Sequence, residues 1–346
     1  MKGFYKLLVV VFGLFLGFSS TAQDIHFTQF YMSPLNLNPA MTGINNCKTR
    51  MIVNYRNQWA GALGANAYNT FSASYDQKMP IGREDYFGVG GTLWGDVAGE
   101  SKFGTTQGKL SLSYSKKMGG YRKKANYLVI GADAGLTQRR ISHDDLRWPN
   151  QITGDGFDKT LPTGESDFDN DFLYADIGAG LLWFSVLDER TNWYLGAALA
   201  HLNQPNVSFQ GTVSLYSKTT VHGGAQLPIA PRMTVLPFAV FMKQGPHSEF
   251  NGGASVRFAM GATRRSSQSW QVGAWYRLGS KVEGGLHSDA IIVSSRFNFD
   301  QFNIGFSYDI TVSDFRQASA ANGAFEFSLQ YEICGPESRG VYCPRF

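Results

Sequence analysis

Residues 302 to 313 alternate without a break. Phe302, Ile304, Phe306, Tyr308, Ile310 and Val312 occupy one set of positions, and Asn303, Ser307, Asp309, Thr311 and Ser313 the other. Successive side chains of a strand point to opposite faces, whereas a helix repeats every 3.6 residues, so period two predicts a strand with one apolar and one polar face. The next segment repeats the pattern, with Phe325, Phe327, Leu329, Tyr331 and Ile333 opposite Glu326, Ser328, Gln330 and Glu332. A charge on a lipid-facing position costs about 2 to 4 kcal/mol at mid-bilayer, while a charge facing a lumen can hydrate or pair. The polar faces must therefore point inward, and the expected fold class is all-β, a transmembrane antiparallel β-barrel.

The same order recurs upstream. Leu110, Leu112 and Tyr114 oppose Ser111, Ser113 and Ser115. Leu128, Ile130, Ala132, Ala134 and Leu136 oppose Asp133 and Thr137. Strands are expected near 48–58, 67–78, 86–97, 104–118, 125–138, 172–186, 192–202, 217–228, 232–243, 249–261, 268–279, 283–298, 300–312 and 323–333. That is about fourteen, an even number as bacterial single-chain barrels have, with twelve or sixteen left open. Pro205 and Pro237 blur the pattern around 203–216 and 232–243. With the first strand running outward, the long connections 139–171, 203–216 and 313–322 all fall on the extracellular side, which places both termini in the periplasm. Trp59, Trp94, Trp183, Trp193 and Trp270 lie near strand ends, where interfacial girdles sit.

The chain begins with Lys2 and Lys6, an apolar run from Leu7 to Phe18, and Ser20-Thr21-Ala22, which predicts a signal peptide over 1–22 cleaved before Gln23. Its apolar core is too short for a comfortable anchor. Cys47, the first cysteine, lies far beyond the cleavage point, so no acylated N-terminal cysteine is expected. Loss of Lys2 and Lys6 leaves 29 basic groups against 27 acidic ones, and no electrostatic case for nucleic acid remains. No later run of about eighteen apolar residues suggests a helical span.

Catalytic and metal motifs are absent. The six histidines fall in no His-Glu-x-x-His setting, and neighbours in His287-Ser288-Asp289 would point to opposite faces of a strand, unlike a triad. Gly88-Val89-Gly90-Gly91 and Gly178-Ala179-Gly180 have no βαβ context, so glycine there should relieve crowding or let strands curve. No enzyme and no cofactor are expected. The loop 139–171 carries Trp148, Asp155, Asp167, Asp169 and Asp171, a cargo-facing candidate; Ca²⁺ is the alternative to a solvated acidic loop, although the glycine and distal glutamate of an EF-hand are missing. Cys47, Cys334 and Cys343 should meet where the first and last strands close the barrel. One disulfide is expected there, Cys334 with Cys343 first, and Cys47 with either as the alternative.

Two polar sets remain. Arg257, Arg277 and Arg296 face inward with Asp309 and Glu326, either lining a pore or pairing in a plugged interior; the paired interior is the expectation. The aromatic, asparagine- and proline-rich lead-in, with Phe30, Tyr31, Pro34, Asn38 and Pro39, fits no strand and should plug the lumen or meet a partner. The expected division is a signal peptide over 1–22, a plug or periplasmic segment over 23–47, the barrel over 48–333 and a cysteine-containing tail over 334–346.

The segment from Gln29 to Gly43 (Gln29-Phe30-Tyr31-Met32-Ser33-Pro34-Leu35-Asn36-Leu37-Asn38-Pro39-Ala40-Met41-Thr42-Gly43), with Asn54-Tyr55-Arg56-Asn57-Gln58-Trp59, the Phe306-Ser307-Tyr308-Asp309 strand and the Cys343-Pro344-Arg345-Phe346 tail, resembles the PorP/SprF family of type IX secretion and gliding systems. The resemblance implies an integral outer-membrane barrel without enzymatic activity. It further implies a surface-protein cargo held through its type B C-terminal sorting domain, and contact with other type IX components, some of them periplasmic. A channel or transporter for small or hydrophobic solutes is the alternative.

Overall fold

A computed structural model describes residues 24–334 and 343, apart from 83, 121–123, 143–145, 155, 165–170, 189, 210, 263–266 and 281–284. The barrel strands run in chain order as β1 (Thr49–Gln58), β2 (Tyr68–Ile81), β3 (Asp85–Ala98), β4 (Phe103–Gly119), β5 (Ala125–Arg140), β6 (Asp171–Val186) and β7 (Asn192–Ala200). They continue as β8 (Lys218–Ala230), β9 (Met233–Gln244), β10 (His247–Ala262), β11 (Ser267–Ser280), β12 (Leu286–Phe299), β13 (Phe302–Thr311) and β14 (Asn322–Ile333). All fourteen pair antiparallel in sequence order, and β1 pairs with β14 to close the ring. Closure matters because lipid offers no hydrogen bonds to an open sheet edge.

The alternation read in the sequence is the alternation of exposure. On β13, Phe302, Ile304, Phe306, Tyr308 and Ile310 are exposed on the outer wall, while Asn303, Ser307, Asp309 and Thr311 are buried inside. Part of the inner wall is apolar: Tyr127, Val129, Leu182, Phe184 and Val186 point inward and join one hydrophobic cluster with Met41 and Ile44. This explains the unbroken apolar runs in β5 and β6.

The odd-numbered connections include 59–67, 141–170, 201–217 and 312–321 and gather at one end, here the loop end; the even-numbered ones are short turns at the other, the terminal end. Among the described residues of 203–216, the strand-like pairing is an isolated bridge, Asn206 with Ser214. Pro237 does lie within a strand, β9. Its ladder with β8 runs through Gly224–Phe238 and Leu227–Val235 but leaves out Ala225 and Gln226, consistent with the missing proline N–H. Trp183 and Trp270 are exposed near terminal-end turns, and Trp183 makes an edge contact with Trp193 at 5.1 Å. Trp94 departs from the girdle expectation: it is buried in the lumen, its Nε1 donating to Gln107 at 2.8 Å, because its position in β3 is an inward one.

Candidate functional site in the barrel lumen

The lumen is filled by the segment that precedes β1. Three short helical turns, Phe30–Met32, Pro34–Leu37 and Pro39–Met41, shape it. Pro34 and Pro39 each start a turn, where a missing N–H costs nothing, and the Asn38 side chain caps the last by accepting from Ala40 N at 2.8 Å. Such turns satisfy much of the backbone internally, and the barrel wall supplies further partners.

The segment traverses the barrel from the loop end to the terminal end. Asp24 sits at the loop end, its N–H donating to Gln244 at 3.1 Å and its carboxylate 2.5 Å from His201, which follows β7. His201 Nδ1 also meets Asp176 at 2.8 Å, and Asp176 pairs with Lys109 at 2.8 Å. Burial by itself would lower the His201 pKa, but the Asp24 and Asp176 carboxylates outweigh it and push it up to about 9. Burial likewise opposes ionisation of Asp24, yet His201 and Lys218 hold its carboxyl well below the usual range. The described lead-in and the last strand therefore end at opposite faces of the barrel. Asp24 lies at the loop end and Cys334 at the terminal end, because the lead-in runs inside the barrel rather than beside it.

Below that anchor the charges converge. Consecutive N–H groups of Thr28 and Gln29 donate to Glu326 at 2.7 and 2.9 Å. Arg56 pairs with Asp309 at 2.9 Å and Glu326 at 3.3 Å, and also donates to the Thr28 hydroxyl. Arg277 pairs with Asp309 at 2.9 Å and Asp289 at 2.5 Å. Phe30 stacks on Phe238 with ring centroids 4.1 Å apart, and Tyr31 on Trp275 at 5.7 Å. Asn54 donates to the Met32 carbonyl at 3.0 Å.

Further down, wall and segment fit so closely that only glycine is accommodated at several inward positions. A Cβ on Gly131 would fall 2.4 Å from Ala40 N, on Gly180 2.0 Å from Asn38 Oδ1, and on Gly88 2.3 Å from the Thr42 carbonyl. Asn38 donates to the carbonyls of Leu181 and Ala197 at 3.1 and 3.3 Å and meets His222 Nε2 at 3.0 Å. Gly43 N donates to Asp76 at 2.7 Å; Arg50 grips Asp76 with two bonds of 2.9 Å and also donates to the Met41 carbonyl. The segment leaves the lumen at the Cys47–Cys334 disulfide.

The sequence-derived residues therefore divide. Arg277 pairs with Asp309, and Glu326 joins them through Arg56, while Phe30, Tyr31, Pro34, Asn38 and Pro39 of the plug are buried in the same lumen at different depths. Arg257 and Arg296 lie away from Asp309 and Glu326 in the terminal half, where Arg257 reaches Gln271 at 3.4 Å and Arg296 reaches Asn298 at 3.0 Å and the Tyr31 ring face at 5.6 Å. The favoured pairing of Cys334 with Cys343 is corrected. The β1–β14 register sets Thr49 opposite Ile333 and so brings Cys47 beside Cys334, while Cys343 is a buried thiol 3.7 Å from Lys78 Nζ.

In the long loop, Trp148 N donates to Gln151 at 3.4 Å and Asp171 accepts from Gln138 at 2.7 Å. Asp155, Asp167 and Asp169 lie outside the described residues, as do the signal peptide and Pro344-Arg345-Phe346. Among the described residues, no three His, Cys, Asp or Glu side chains group as a metal site.

Sequence reasoning missed Arg56, Arg50, Asp76, Asp176, Lys109 and His201 as lumen residues. Arg50, Ile52, Asn54 and Arg56 share the inward parity of β1, so alternation there could have found the two arginines. His201 follows the end of β7 and carries no such signal.

Arginines lodged between carboxylates, and backbone N–H groups lodged on one of them, form a fixed, charge-compensated interior suited to holding a shape. Two small cavities lie beside the plug toward the loop end, of about 20 and 50 Å³. Several solved structures are similar in fold. CdiB from Escherichia coli matches at 8% identity and TM-score 0.46, over 81% of this chain and 62% of that one. The TodX monoaromatic hydrocarbon channel matches at 9% identity and TM-score 0.42, over 86% and 92% of the two chains. The Ralstonia pickettii toluene transporter TbuX matches at 10% identity and TM-score 0.42, over 92% and 96%. No curated protein matches the sequence. The family model described as type IX secretion system membrane protein PorP/SprF matches residues 19–331, nearly the whole chain. The chain belongs to the PorP/SprF family of type IX secretion system membrane proteins.

Proposed function

We propose that this barrel sits in the outer membrane as part of the type IX secretion and gliding apparatus and holds a surface-protein cargo, through its type B C-terminal sorting domain, without conducting it. The loop end faces the exterior and carries the cargo contacts; the terminal end faces the periplasm and the rest of the machinery. The observation that carries this proposal is the plug. A lumen occupied along its length by its own chain, with glycine at close contacts, leaves the barrel's outer surfaces and mouths as its working parts. Cargo recognition by surfaces needs no reacting groups.

Capture of the tagged protein from its native membrane tests this. A large surface protein bearing a C-terminal sorting domain should copurify. Cargo display that continues unchanged in a deletion strain, with nothing copurifying, sinks it. A channel for small or hydrophobic solutes is the alternative, and planar-bilayer recording separates the two: the plugged barrel should carry no steady current, and a steady wild-type current would favour the channel.

A further inference from the structure

The middle of the plug is seated on a histidine. His222 of β8 faces the lumen and is almost fully buried, and its Nε2 lies 3.0 Å from Asn38 Nδ2. Three backbone groups fix which way the Asn38 amide points. Its Nδ2 also faces the carbonyls of Leu181 and Ala197, which only accept, and its Oδ1 takes the Ala40 N–H, which only donates. An amide nitrogen is a donor without acceptor capacity, so His222 must meet it with the lone pair of Nε2. The imidazole in this contact is therefore neutral and carries its proton on Nδ1. Among the described residues, Nδ1 is buried without a hydrogen-bond partner. Neighbouring strands leave the seat no slack: a Cβ on Gly196 would fall 2.4 Å from Nε2, and one on Gly180 2.0 Å from Asn38 Oδ1.

We propose that His222 is a proton-operated latch on the plug, holding Asn38 while neutral and releasing residues 36–42 from the wall when protonated. One proton added at Nε2 turns the acceptor into a donor, and two N–H groups then face each other across a hydrogen-bond distance. Reversing the Asn38 amide to answer the new donor would set its oxygen against two carbonyls and its N–H groups against Ala40 N. The surroundings also leave the added charge unanswered. Tyr194 of β7, with its ring 6.2 Å away, is the titratable side chain that faces the imidazole. Phe238 and Val240 face it from β9, and Asn38 from the plug. Lys218 stands two inward positions along β8 toward the loop end, where it meets Asp24 at 3.8 Å. Among the described residues, no charged side chain acts on His222. A buried, unpaired charge is costly, so the protonated ring is accommodated by moving the plug and admitting water. The latch belongs to the lumen and stands or falls apart from the cargo surface proposed above.

The test uses the full mature chain in lipid nanodiscs, where both mouths are open to solvent, with nitrogen-labelled histidine read by NMR. At about pH 7.5 the His222 ring should be the neutral Nδ1–H tautomer, and on acidification to about pH 4 it should become imidazolium. Hydrogen exchange of residues 36–42, corrected for intrinsic rates, should rise about tenfold or more with the same midpoint. His222→Gln offers Asn38 a side-chain carbonyl that accepts but does not titrate, so it should keep residues 36–42 protected at both pH values. Residues 24–28, anchored through Asp24, should loosen in acid in both proteins and serve as the internal control. Heat-modifiable migration on a gel confirms that the barrel is folded. Three results from the wild-type protein alone overturn the proposal: an Nε2–H tautomer at neutral pH, a ring that stays neutral at about pH 4, or unchanged exchange of residues 36–42 once the ring is charged. An equal acid rise in folded His222→Gln overturns it as well.

Discussion

Arg56 on the first barrel strand and Asp309 on the thirteenth stand 2.9 Å apart, both almost fully buried, with Glu326 of the fourteenth strand completing the contact. The pair therefore spans the seam where the barrel closes. Asp309 also answers Arg277, so one carboxylate serves two buried guanidiniums. Removing one member of a buried pair costs about 3 to 5 kcal/mol, because the other charge stays behind uncompensated. Asp309→Asn should destabilise the barrel by about that amount, seen as a lower temperature for loss of the folded gel band. A variant as heat-resistant as the parent would show that the cluster contributes nothing to stability.

Gly180 offers a different lever, since its absent side chain is the space that Asn38 occupies. Gly180→Val should expel Asn38 and loosen the plug, with an overpacking cost of about 1 to 3 kcal/mol. Steady ion current in bilayers and faster proteolysis of residues 24–46 are the expected outcomes. Silence in both assays would mean that the wall yields and the plug does not.

Only one thiol should react with an alkylating agent when the protein is unfolded without reductant, and three after reduction, as Cys47 and Cys334 are joined and Cys343 is free. Peptide mapping should find the reactive one at Cys343. The cross-link encloses a sequence separation of 287 residues, and on the chain-entropy model it contributes about 6 kcal/mol by restricting the unfolded chain. Cys47→Ser should lower thermal stability accordingly.

The loop-end anchor should respond to pH on both sides. His201 has a folded pKa of about 9, above its ordinary 6.5, so its contribution is complete below about pH 6.5 and is lost as pH rises through 9. Asp24 is shifted down, so its contribution is present above its ordinary pKa near 3.8 and is lost in acid. Hydrogen exchange of residues 24–28 should be slowest between about pH 4 and 6.5 after correction for intrinsic rates. His201→Gln should flatten the alkaline limb. An alkaline limb unchanged in that variant would assign the anchoring elsewhere.

The strands were legible because lipid enforces period two on nearly every one of them, and even Pro237 only interrupts a ladder without ending β9. Lumen partners were less so. Alternation says that Arg257 and Arg277 both point inward, but their neighbours depend on how far each strand is staggered along the wall, and this separates Arg257 from Asp309. Trp94 misled because strand-end position and inward parity were in conflict, and parity prevailed. Asp24 and His201 meet because the plug threads the lumen, a path that no local pattern encodes.

That path constrains how the molecule can be made. Joining β1 to β14 is the pairing with the greatest separation along the chain, and contacts of that kind bear the largest loop-closure cost and form late. By then residues 24–46 must already lie inside, since their seats on Gly88, Gly131 and Gly180 leave no clearance for threading a finished ring. The wall must be assembled around its own N-terminal segment, and Cys47 can reach Cys334 only once that is done. Oxidation of this pair is thus a chemical record that a given copy has finished folding.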